Sequence, residues 1–250
     1  MATVPRANAD LLLLHGFTHT GRSWEPVLDW LSQRYRGEPW LAPDLRGHGD
    51  ASDRVPVSLP GIIDDLAAAA PPSFTLVGYS MGGRIALHVA FALQDRVRRL
   101  VLIGASPGIA DPAQRAARRA SDERLADELA TMTIEQFAER WATGTPVLGG
   151  QPAEVRERAH ADRLRNTPDG LARALRGLGT GALPSLWERL PEVTVPVALV
   201  VGERDDRFRA IAGEMAARLA HARVTVVAGA GHAVHLEAPD QVAAVIAGAP

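Results

Sequence analysis

The stretch Phe74–Arg84, FTLVGYSMGGR, decides the fold. It opens with an apolar run that is long enough for a buried strand, and residues 83–93 have a helical composition. Between them lies a Gly-x-Ser-x-Gly pattern with Ser80 at its centre. Because glycines let the two backbones pass closely, Ser80 is predicted to lie at the helix N-terminus, where backbone N–H groups favour negative charge. A plain glycine-rich turn with an N-capping serine is the alternative.

Length and composition limit the possible classes of protein. The 250 residues are 46% hydrophobic, enough for one large core or two small ones. A formal net charge of -2 gives no indication of a nucleic-acid partner. The absence of cysteine excludes disulfides and thiolate metal sites and suits a reducing compartment. Because residues 1–10 lack the apolar segment of a signal peptide and Leu11–Leu14 is too short to span a bilayer, we expect a soluble cytoplasmic protein.

Two strands with characteristic following loops precede the central stretch. Leu11–Leu14 predicts a buried parallel strand that leads into His15-Gly16-Phe17. Residues 40–42 predict another short strand, followed by PDLRGHG. In that string His48 lies between glycines, which favours a turn and a structural role over a catalytic one. Helical patterns cover residues 21–33 and 60–70.

The second half of the chain contains more strands and a long helical segment. Strands are predicted over residues 99–103, 195–201 and 221–227, and a closing helix over residues 238–247. Between them, residues 111–141, 153–165 and 170–178 have Arg- and Ala-rich helical patterns without strand signals. We therefore predict an α/β core of residues 1–106 and 186–250 and a helical cap of residues 107–185, placed over the strand ends where open α/β sheets bind ligands.

Two later loops supply possible partners for Ser80. Asp205 lies just past one buried strand, and His232 follows the last strand in a Gly-x-Gly-His turn. Since each of the three residues comes after a strand, all three can meet at one sheet edge as a catalytic triad. The order Ser…Asp…His is the order found in α/β-hydrolases. Nearby rivals are Asp206 and Glu203 for the acid and His235 for the histidine.

A more specific resemblance runs along nearly the whole chain. It is carried by the strings LLLHGF, GYSMGGR, RASDERLADEL, GTGALPSLWERL, VGERDDRFRAIA and GAGHAVHLE. With these strings the chain resembles the 2-succinyl-6-hydroxy-2,4-cyclohexadiene-1-carboxylate synthases of menaquinone biosynthesis, which have the α/β-hydrolase fold with a mostly parallel sheet, helices on both faces and a helical cap. The resemblance implies a lyase that eliminates pyruvate and uses neither a cofactor nor a metal.

The resemblance also implies roles for the residues of the site. Ser80 would act as a base activated by His232, which Asp205 orients. The backbone N–H groups of Phe17 and Met81 would form an oxyanion hole.

The implied substrate is a small anion with three carboxylates, which arginine binds well. Arg84 lies one helical turn past Ser80, where a cation opposes the helix dipole, so it is predicted to meet a substrate carboxylate. Alignment with the family adds Arg124 and Arg165, although a solvated charged face explains both equally well. Tyr79 and Trp141 are further candidates for substrate binding; the alternatives are that Tyr79 only fills space and that Trp141 only attaches the cap to the core.

Two other functions remain open from the sequence. The same triad would serve a hydrolase of esters or carbon–carbon bonds in which Ser80 is the nucleophile. A non-catalytic receptor on the same fold is the other alternative. The sequence indicates no oligomeric state.

Overall fold

The computed structural model describes residues 10–35, 40–145 and 149–248, so residues 1–9 of the N-terminal stretch discussed above lie outside it. Six strands form one sheet with the spatial order β2-β1-β3-β4-β5-β6, and every neighbouring pair is parallel. The strands are β1 (Asp10–Leu14), β2 (Trp40–Leu41), β3 (Phe74–Tyr79), β4 (Val97–Ile103), β5 (Val197–Gly202) and β6 (Ala222–Val227).

Helices fill the connections between the strands. They are α1 (Glu25–Tyr35), α2 (Leu59–Ala69), α3 (Met81–Ala92), α4 (Pro112–Leu129), α5 (Ile134–Gly144), α6 (Ala153–Arg163), α7 (Pro168–Leu178), α8 (Asp206–Ala216), α9 (Val234–Glu237) and α10 (Pro239–Ile246). Short 3₁₀ helices cover Gly21–Trp24, Gly49–Ala51 and Trp187–Glu192. Within the described ranges, no helix combines the length and the apolar character needed to cross a membrane.

The sheet is covered on both faces, as expected for parallel strands. In β1, Leu12 and Leu14 pack into an apolar cluster with α2, α3 and α8. The alternate residues Leu11 and Leu13 face the opposite side and pack with α1 and α10. Every residue of β3 and β5 is buried, which explains why these strands are continuous apolar runs in the sequence. The predicted α/β-hydrolase fold is confirmed.

Four helices, α4 to α7, lie between β4 and β5; α4, α5 and α7 share an apolar cluster of their own, whereas Val155 and Ala159 of α6 pack with the core. The buried members of the cluster shared by the three helices are Ala126, Leu129, Phe137, Leu171, Ala172 and Leu175. We call these four helices the cap. The division of the chain at residues 106/107 and 185/186 stays a prediction.

The helical pattern of residues 111–141 is interrupted by a helix start that the sequence analysis missed. The Thr133 hydroxyl accepts a hydrogen bond from the Gln136 N–H at 3.3 Å, and the Gln136 side chain accepts one from the Thr133 N–H at 3.0 Å. This reciprocal capping box satisfies N–H groups that a helix start leaves free. It therefore begins α5 as a separate helix, and the Thr-x-x-Gln pattern was the available signal.

Glycine at position 82 is required by close contact between the backbones of α3 and the segment after β1. A Cβ atom added to Gly82 would lie 2.2 Å from the Leu14 carbonyl oxygen. By contrast, Gly213 in α8 is exposed and has no heavy atom within 4 Å of an added Cβ. The same substitution should therefore have opposite effects on stability at these two positions.

We expect Gly82→Ala to lower the free energy of unfolding by about 1–3 kcal/mol, because the backbone must move apart to accept the methyl group. Gly213→Ala should raise it by about 0.5–1 kcal/mol, because alanine loses less conformational freedom in a helix than glycine does. Urea denaturation of both variants measures these changes. A Gly82→Ala protein as stable as the wild type would show that the close contact does not constrain this turn.

Candidate active site

Ser80 lies on a sharp turn between β3 and α3. Its backbone has φ 50° and ψ -109°, which is a strained conformation for a residue with a side chain. The Ser80 N–H donates to the Ile103 carbonyl at 2.9 Å, and this bond ties the turn to the neighbouring strand β4. A Cβ atom on Gly78 would lie 2.5 Å from the Gly82 carbonyl oxygen. The predicted strand–turn–helix element is thus present, with glycines where the backbones meet.

Ser80, His232 and Asp205 form a continuous hydrogen-bonded chain. His232 Nε2 lies 3.1 Å from Ser80 Oγ, and His232 Nδ1 lies 2.6 Å from Asp205 Oδ2. With Nδ1 protonated, the imidazole donates to the carboxylate and can accept the serine proton. Asp205 and His232 are both buried, so the charge that develops on the imidazole is shielded from bulk water. The three residues come together at the carboxyl ends of β3, β5 and β6, as the sequence predicts.

The alternative residues for the acid and the histidine lie outside this hydrogen-bonded chain. Asp206 and Glu203 are exposed; Asp206 pairs with Arg209, and Glu203 accepts the Gly229 N–H. His235 is buried, with its ring centroid 4.1 Å from that of Tyr79 rather than in a hydrogen bond with Ser80. Among the described residues, no three His, Asp or Glu side chains group closely enough to hold a metal ion.

An ion pair that the sequence analysis did not identify holds the loops of Asp205 and His232 together. The buried Glu237 carboxylate accepts the Gly231 N–H at 2.8 Å and pairs with Arg204 at 2.7 Å. Arg204 immediately precedes Asp205, and Gly231 immediately precedes His232. The pair therefore fixes the relative positions of the acid and the histidine.

The loop after β1 lies directly against Ser80. A Cβ atom on Gly16 would be 3.5 Å from Ser80 Cβ. His15 holds this loop, because its Nε2 accepts the Leu45 N–H at 2.9 Å and its Nδ1 lies 2.9 Å from the Gly16 carbonyl. Burial lowers the pKa of His15, which keeps the ring neutral at physiological pH. The next residue along the loop is Phe17, whose N–H is one of the two predicted oxyanion donors.

The second predicted donor belongs to the turn itself. Met81 is the first residue of α3, so its N–H has no acceptor within the helix. Of the two residues predicted for the oxyanion hole, Phe17 thus lies in the loop next to Ser80 and Met81 directly follows Ser80 in the chain. Their role as donors stays a prediction.

Aromatic side chains connect the cap to this loop. The ring of Trp141, in α5, lies 5.3 Å from the ring of Phe17 and 5.5 Å from that of Phe137. His48 is buried on the other side of Phe17, at 5.7 Å, and 4.9 Å from His15. Trp141 therefore joins the cap to the core beside the site, while His48 packs beneath the loop.

Arg84 is a buried cation on the first turns of α3. One guanidinium nitrogen donates to the Leu178 carbonyl at 3.2 Å, and Nε has no hydrogen-bond partner among the described residues. Burial, followed by repulsion from Arg118, lowers the pKa of Arg84 to about 10, so the group stays charged at neutral pH. Within the described part of the chain, no carboxylate lies within ion-pair distance of it. Arg84 is thus a desolvated charge without a protein counter-ion in contact.

Tyr79 is buried between the triad and the histidines behind it. Its ring centroid lies 5.4 Å from that of His232 and 4.1 Å from that of His235. Burial, with the nearby carboxylates of Glu237 and Asp205, raises the pKa of Tyr79, so its hydroxyl stays protonated. Tyr79 can donate a hydrogen bond but cannot serve as a base near neutral pH.

The structure places Arg124 and Arg165 on exposed faces of the cap, where no contact with the triad is present. Two neighbouring arginines lie closer to site residues. Arg118 is near enough to Arg84 to lower its pKa, and it pairs with Asp122 at 2.7 Å. Arg163 is 2% exposed, and its Nε lies 3.4 Å from the Thr18 hydroxyl in the loop beside Ser80. The sequence analysis missed both, and the binding roles of Arg124 and Arg165 stay predictions.

Comparison with known proteins identifies the family. The model of the alpha/beta hydrolase family matches residues 11–245. A Bacillus subtilis (strain 168) protein, provisionally assigned as a 2-succinyl-6-hydroxy-2,4-cyclohexadiene-1-carboxylate synthase, is 36% identical over 94% of this chain and 88% of its own length. The synthase of that name from Salmonella paratyphi C (strain RKS4594) is 35% identical over 92% and 88% of the two chains.

A solved structure gives the same result. The structure of MenH from S. aureus superposes with a TM-score of 0.88 at 32% identity, covering 99% of this chain and 94% of that one. The sequence relatives and the structural neighbour agree over nearly the full length of the chain. The chain belongs to the alpha/beta hydrolase family and, within it, to the 2-succinyl-6-hydroxy-2,4-cyclohexadiene-1-carboxylate synthase family.

Proposed function

We propose that this protein eliminates pyruvate from 2-succinyl-5-enolpyruvyl-6-hydroxy-3-cyclohexene-1-carboxylate and so forms 2-succinyl-6-hydroxy-2,4-cyclohexadiene-1-carboxylate, a step of menaquinone biosynthesis. Family membership supports this reaction, since relatives of this length and similarity carry the name of the synthase. The proposal places a carbon–oxygen lyase in the cytoplasm, in keeping with the cysteine-free sequence.

The observation that carries the proposal is the buried charge of Arg84. A guanidinium held in a dry environment without a contacting carboxylate costs free energy, unless a ligand supplies the missing anion. Arg84 lies one helical turn from Ser80, so an anion bound there is held next to the reacting group. A neutral ester needs no such charge, whereas a substrate with three carboxylates does.

In the proposed reaction Ser80 acts as a base. Its Oγ removes the proton alpha to the succinyl carbonyl while its own proton passes to His232 Nε2, 3.1 Å away. Asp205 keeps the imidazole in the accepting tautomer and stabilises the imidazolium that forms. The electron pair of the broken C–H bond moves into a dienolate. Collapse of the dienolate breaks the C–O bond and expels pyruvate as its enolate.

Negative charge develops on the succinyl carbonyl oxygen during proton removal. We assign its stabilisation to the N–H groups of Phe17 and Met81, next to Ser80. Donors fixed in advance cost no reorganisation when the charge appears, and loss of one such donor typically costs about 3 kcal/mol. The same arrangement would stabilise the intermediate of an ester hydrolase, so it does not by itself distinguish the two reactions.

The three carboxylates of the substrate need cations on more than one side. Arg84 on α3 and Arg118 on α4 repel each other, and Asp122, which pairs with Arg118, offsets only part of the cost of the Arg84 charge, so a bound anion near Arg84 would be favoured. Arg163 supplies a further buried charge, beside the loop that carries Phe17. We propose that these groups bind the carboxylates, with Tyr79 and Trp141 completing the pocket wall. The expected ligand is a small anion rather than a nucleic acid.

The first prediction concerns the base. Ser80→Ala and His232→Ala should each lower kcat for pyruvate release by about a thousandfold or more, and the double variant should lose little beyond that. This follows because serine and histidine remove one proton as a unit. Steady-state pyruvate release by the three variants measures the effect. Losses that multiply in the double variant would contradict a shared role.

A matched pair of acids provides the control. Asp205→Asn removes the carboxylate that contacts His232, whereas Asp206→Asn removes an exposed one three residues from its partner Arg209. Asp205→Asn should lower kcat by about 10⁴-fold, as loss of the orienting aspartate does in serine proteases. Asp206→Asn should leave kcat unchanged. Equal activity of both variants would exclude Asp205 from the triad.

The second prediction concerns the charges. Arg84→Met keeps most of the apolar stem and removes the cation. Because a charge-assisted hydrogen bond contributes about 1.5–3 kcal/mol, kcat/KM for pyruvate release should fall about ten- to a hundredfold. Arg84→Lys should recover only part, because an ammonium cannot form the forked contact. Thermal stability should stay the same or rise, since a buried charge is removed. Wild-type activity with a lowered Tm would show that Arg84 is structural.

The arginines of the cap provide the control for this prediction. Arg163→Gln should raise KM or lower kcat, because the buried guanidinium lies at the loop beside Ser80. Arg165→Gln, two residues away and exposed, should behave like the wild type if Arg163 is the ligand. The reverse result would support Arg165, as the family resemblance implies, and would exclude Arg163.

A further inference from the structure

The loop of residues 15–20, HGFTHT, has a strained backbone. Thr18, directly after Phe17, has φ 69°, a left-handed conformation that is unfavourable for a β-branched side chain. Such a conformation persists only where surrounding contacts hold it. The Phe17 N–H shares a peptide plane with the Gly16 carbonyl, which accepts the His19 N–H at 3.2 Å. The orientation of the Phe17 N–H therefore depends in part on what fixes residues 18–20.

These contacts come from the C-terminal end of α6 in the cap. The Asp162 carboxylate accepts the Thr20 N–H at 2.9 Å, the Thr20 hydroxyl, and a hydrogen bond from His19 Nδ1 at 3.1 Å. Four residues further on, the Asn166 amide donates to the Thr18 carbonyl at 2.9 Å. A residue more than 140 positions away in the sequence thus engages the loop through both of its carboxylate oxygens.

The environment makes these bonds strong. Asp162 is 7% exposed, His19 4% and Thr20 1%. Burial alone would raise the pKa of Asp162, but the hydrogen bonds from His19 and Thr20 and the charge of His19 outweigh it and bring the pKa to about 2. The carboxylate is therefore ionised at neutral pH, and its hydrogen bonds are charge-assisted.

Asp162 itself is unsuited to binding the substrate. Both of its oxygens are occupied by protein donors, and its negative charge would repel a carboxylate ligand. The next residue on α6, Arg163, is positively charged, and we assign it to substrate binding. The direct contacts of Asp162 are with the loop, although its charge also acts on the neighbouring Arg163.

We propose that Asp162 is a positioning residue: from the cap helix α6 it fixes the loop of residues 15–20, so that the Phe17 N–H points at the developing oxyanion. This inference rests on the proposed function. It makes the cap part of the oxyanion hole rather than only a cover over the site. Displacement of α6 would misalign the donor even with Ser80, His232 and Asp205 in place.

The test replaces the carboxylate by an amide of the same shape. Asp162→Asn should lower kcat for pyruvate release about ten- to a hundredfold and change KM less than about threefold, because the substrate still binds while the donor is misplaced. Glu157→Gln removes a charge from the exposed face of the same helix and should leave both constants unchanged. Wild-type kcat in Asp162→Asn, or a raised KM with unchanged kcat, would overturn the proposal.

A second variant covers the case in which Asp162→Asn is too unstable to assay. Thr20→Val keeps the shape of the side chain and removes the hydroxyl, which donates to Asp162 and also accepts the Arg22 N–H at 3.2 Å. It should lower kcat about three- to tenfold, and a wild-type kcat would overturn the proposal. If both variants fold, combining them should lower kcat little further than Asp162→Asn alone does, since both disrupt one contact. Independent losses would contradict positioning through this bond.

The proposed reaction is tested separately with a neutral ester, p-nitrophenyl acetate, which uses the same oxyanion hole without any need for arginines. A wild-type enzyme that hydrolyses the ester and releases no pyruvate would refute the proposed function. Comparison of kcat for the ester between Asp162→Asn and the wild type would then still test the positioning role. A fall of about tenfold or more, with Glu157→Gln unaffected, supports it, and an unchanged value overturns it.

Discussion

The strained backbone of Ser80 is the constraint on which the rest of the structure depends. Its φ of 50° costs of the order of 1–3 kcal/mol for a residue with a side chain, and no local interaction repays that cost. The turn persists because β3 is central in the sheet and the Ser80 N–H is bonded to β4. Glycines at 78 and 82 remove the clashes that would open it. The serine is thereby presented at one sheet edge, where the loops after β5 and β6 can meet it.

A second theme is the placement of charge in dry surroundings. Arg84, Arg163 and Asp162 are all buried; Arg84 contacts the end of α7, whereas Asp162 and Arg163 contact the loop of residues 15–20. Asp162 is satisfied by protein donors, whereas Arg84 has no carboxylate in contact within the described part of the chain. In the proposed function this difference separates a charge that organises the protein, Asp162, from a charge that binds a ligand, Arg84. The core would then provide the reacting groups, and the cap would complete both the substrate site and the loop beside it.

Much of this arrangement could be predicted from the sequence, because short apolar strands followed by functional residues are local signals. For this reason the triad of Ser80, Asp205 and His232 could be predicted from the order of these residues in the sequence. The choice among cap arginines was not, because composition alone ranks them equally. Helical periodicity offered a signal: Val155 and Ala159 mark the inward face of α6, and Asp162 and Arg163 share that face, whereas Arg165 lies past the end of the helix. The contact of Asp162 with Thr20 is invisible in sequence, since 142 residues separate the partners.

The central claim is that Ser80 removes a proton and forms no bond to the substrate carbon. Intact-protein mass spectrometry tests it most directly, on wild-type enzyme quenched at several times during turnover, when an acyl-enzyme would accumulate if deacylation were slow. The expected result is the unmodified mass at every time point while pyruvate accumulates. A mass increase that maps to Ser80 would contradict the account and would make the protein a hydrolase with a nucleophilic serine.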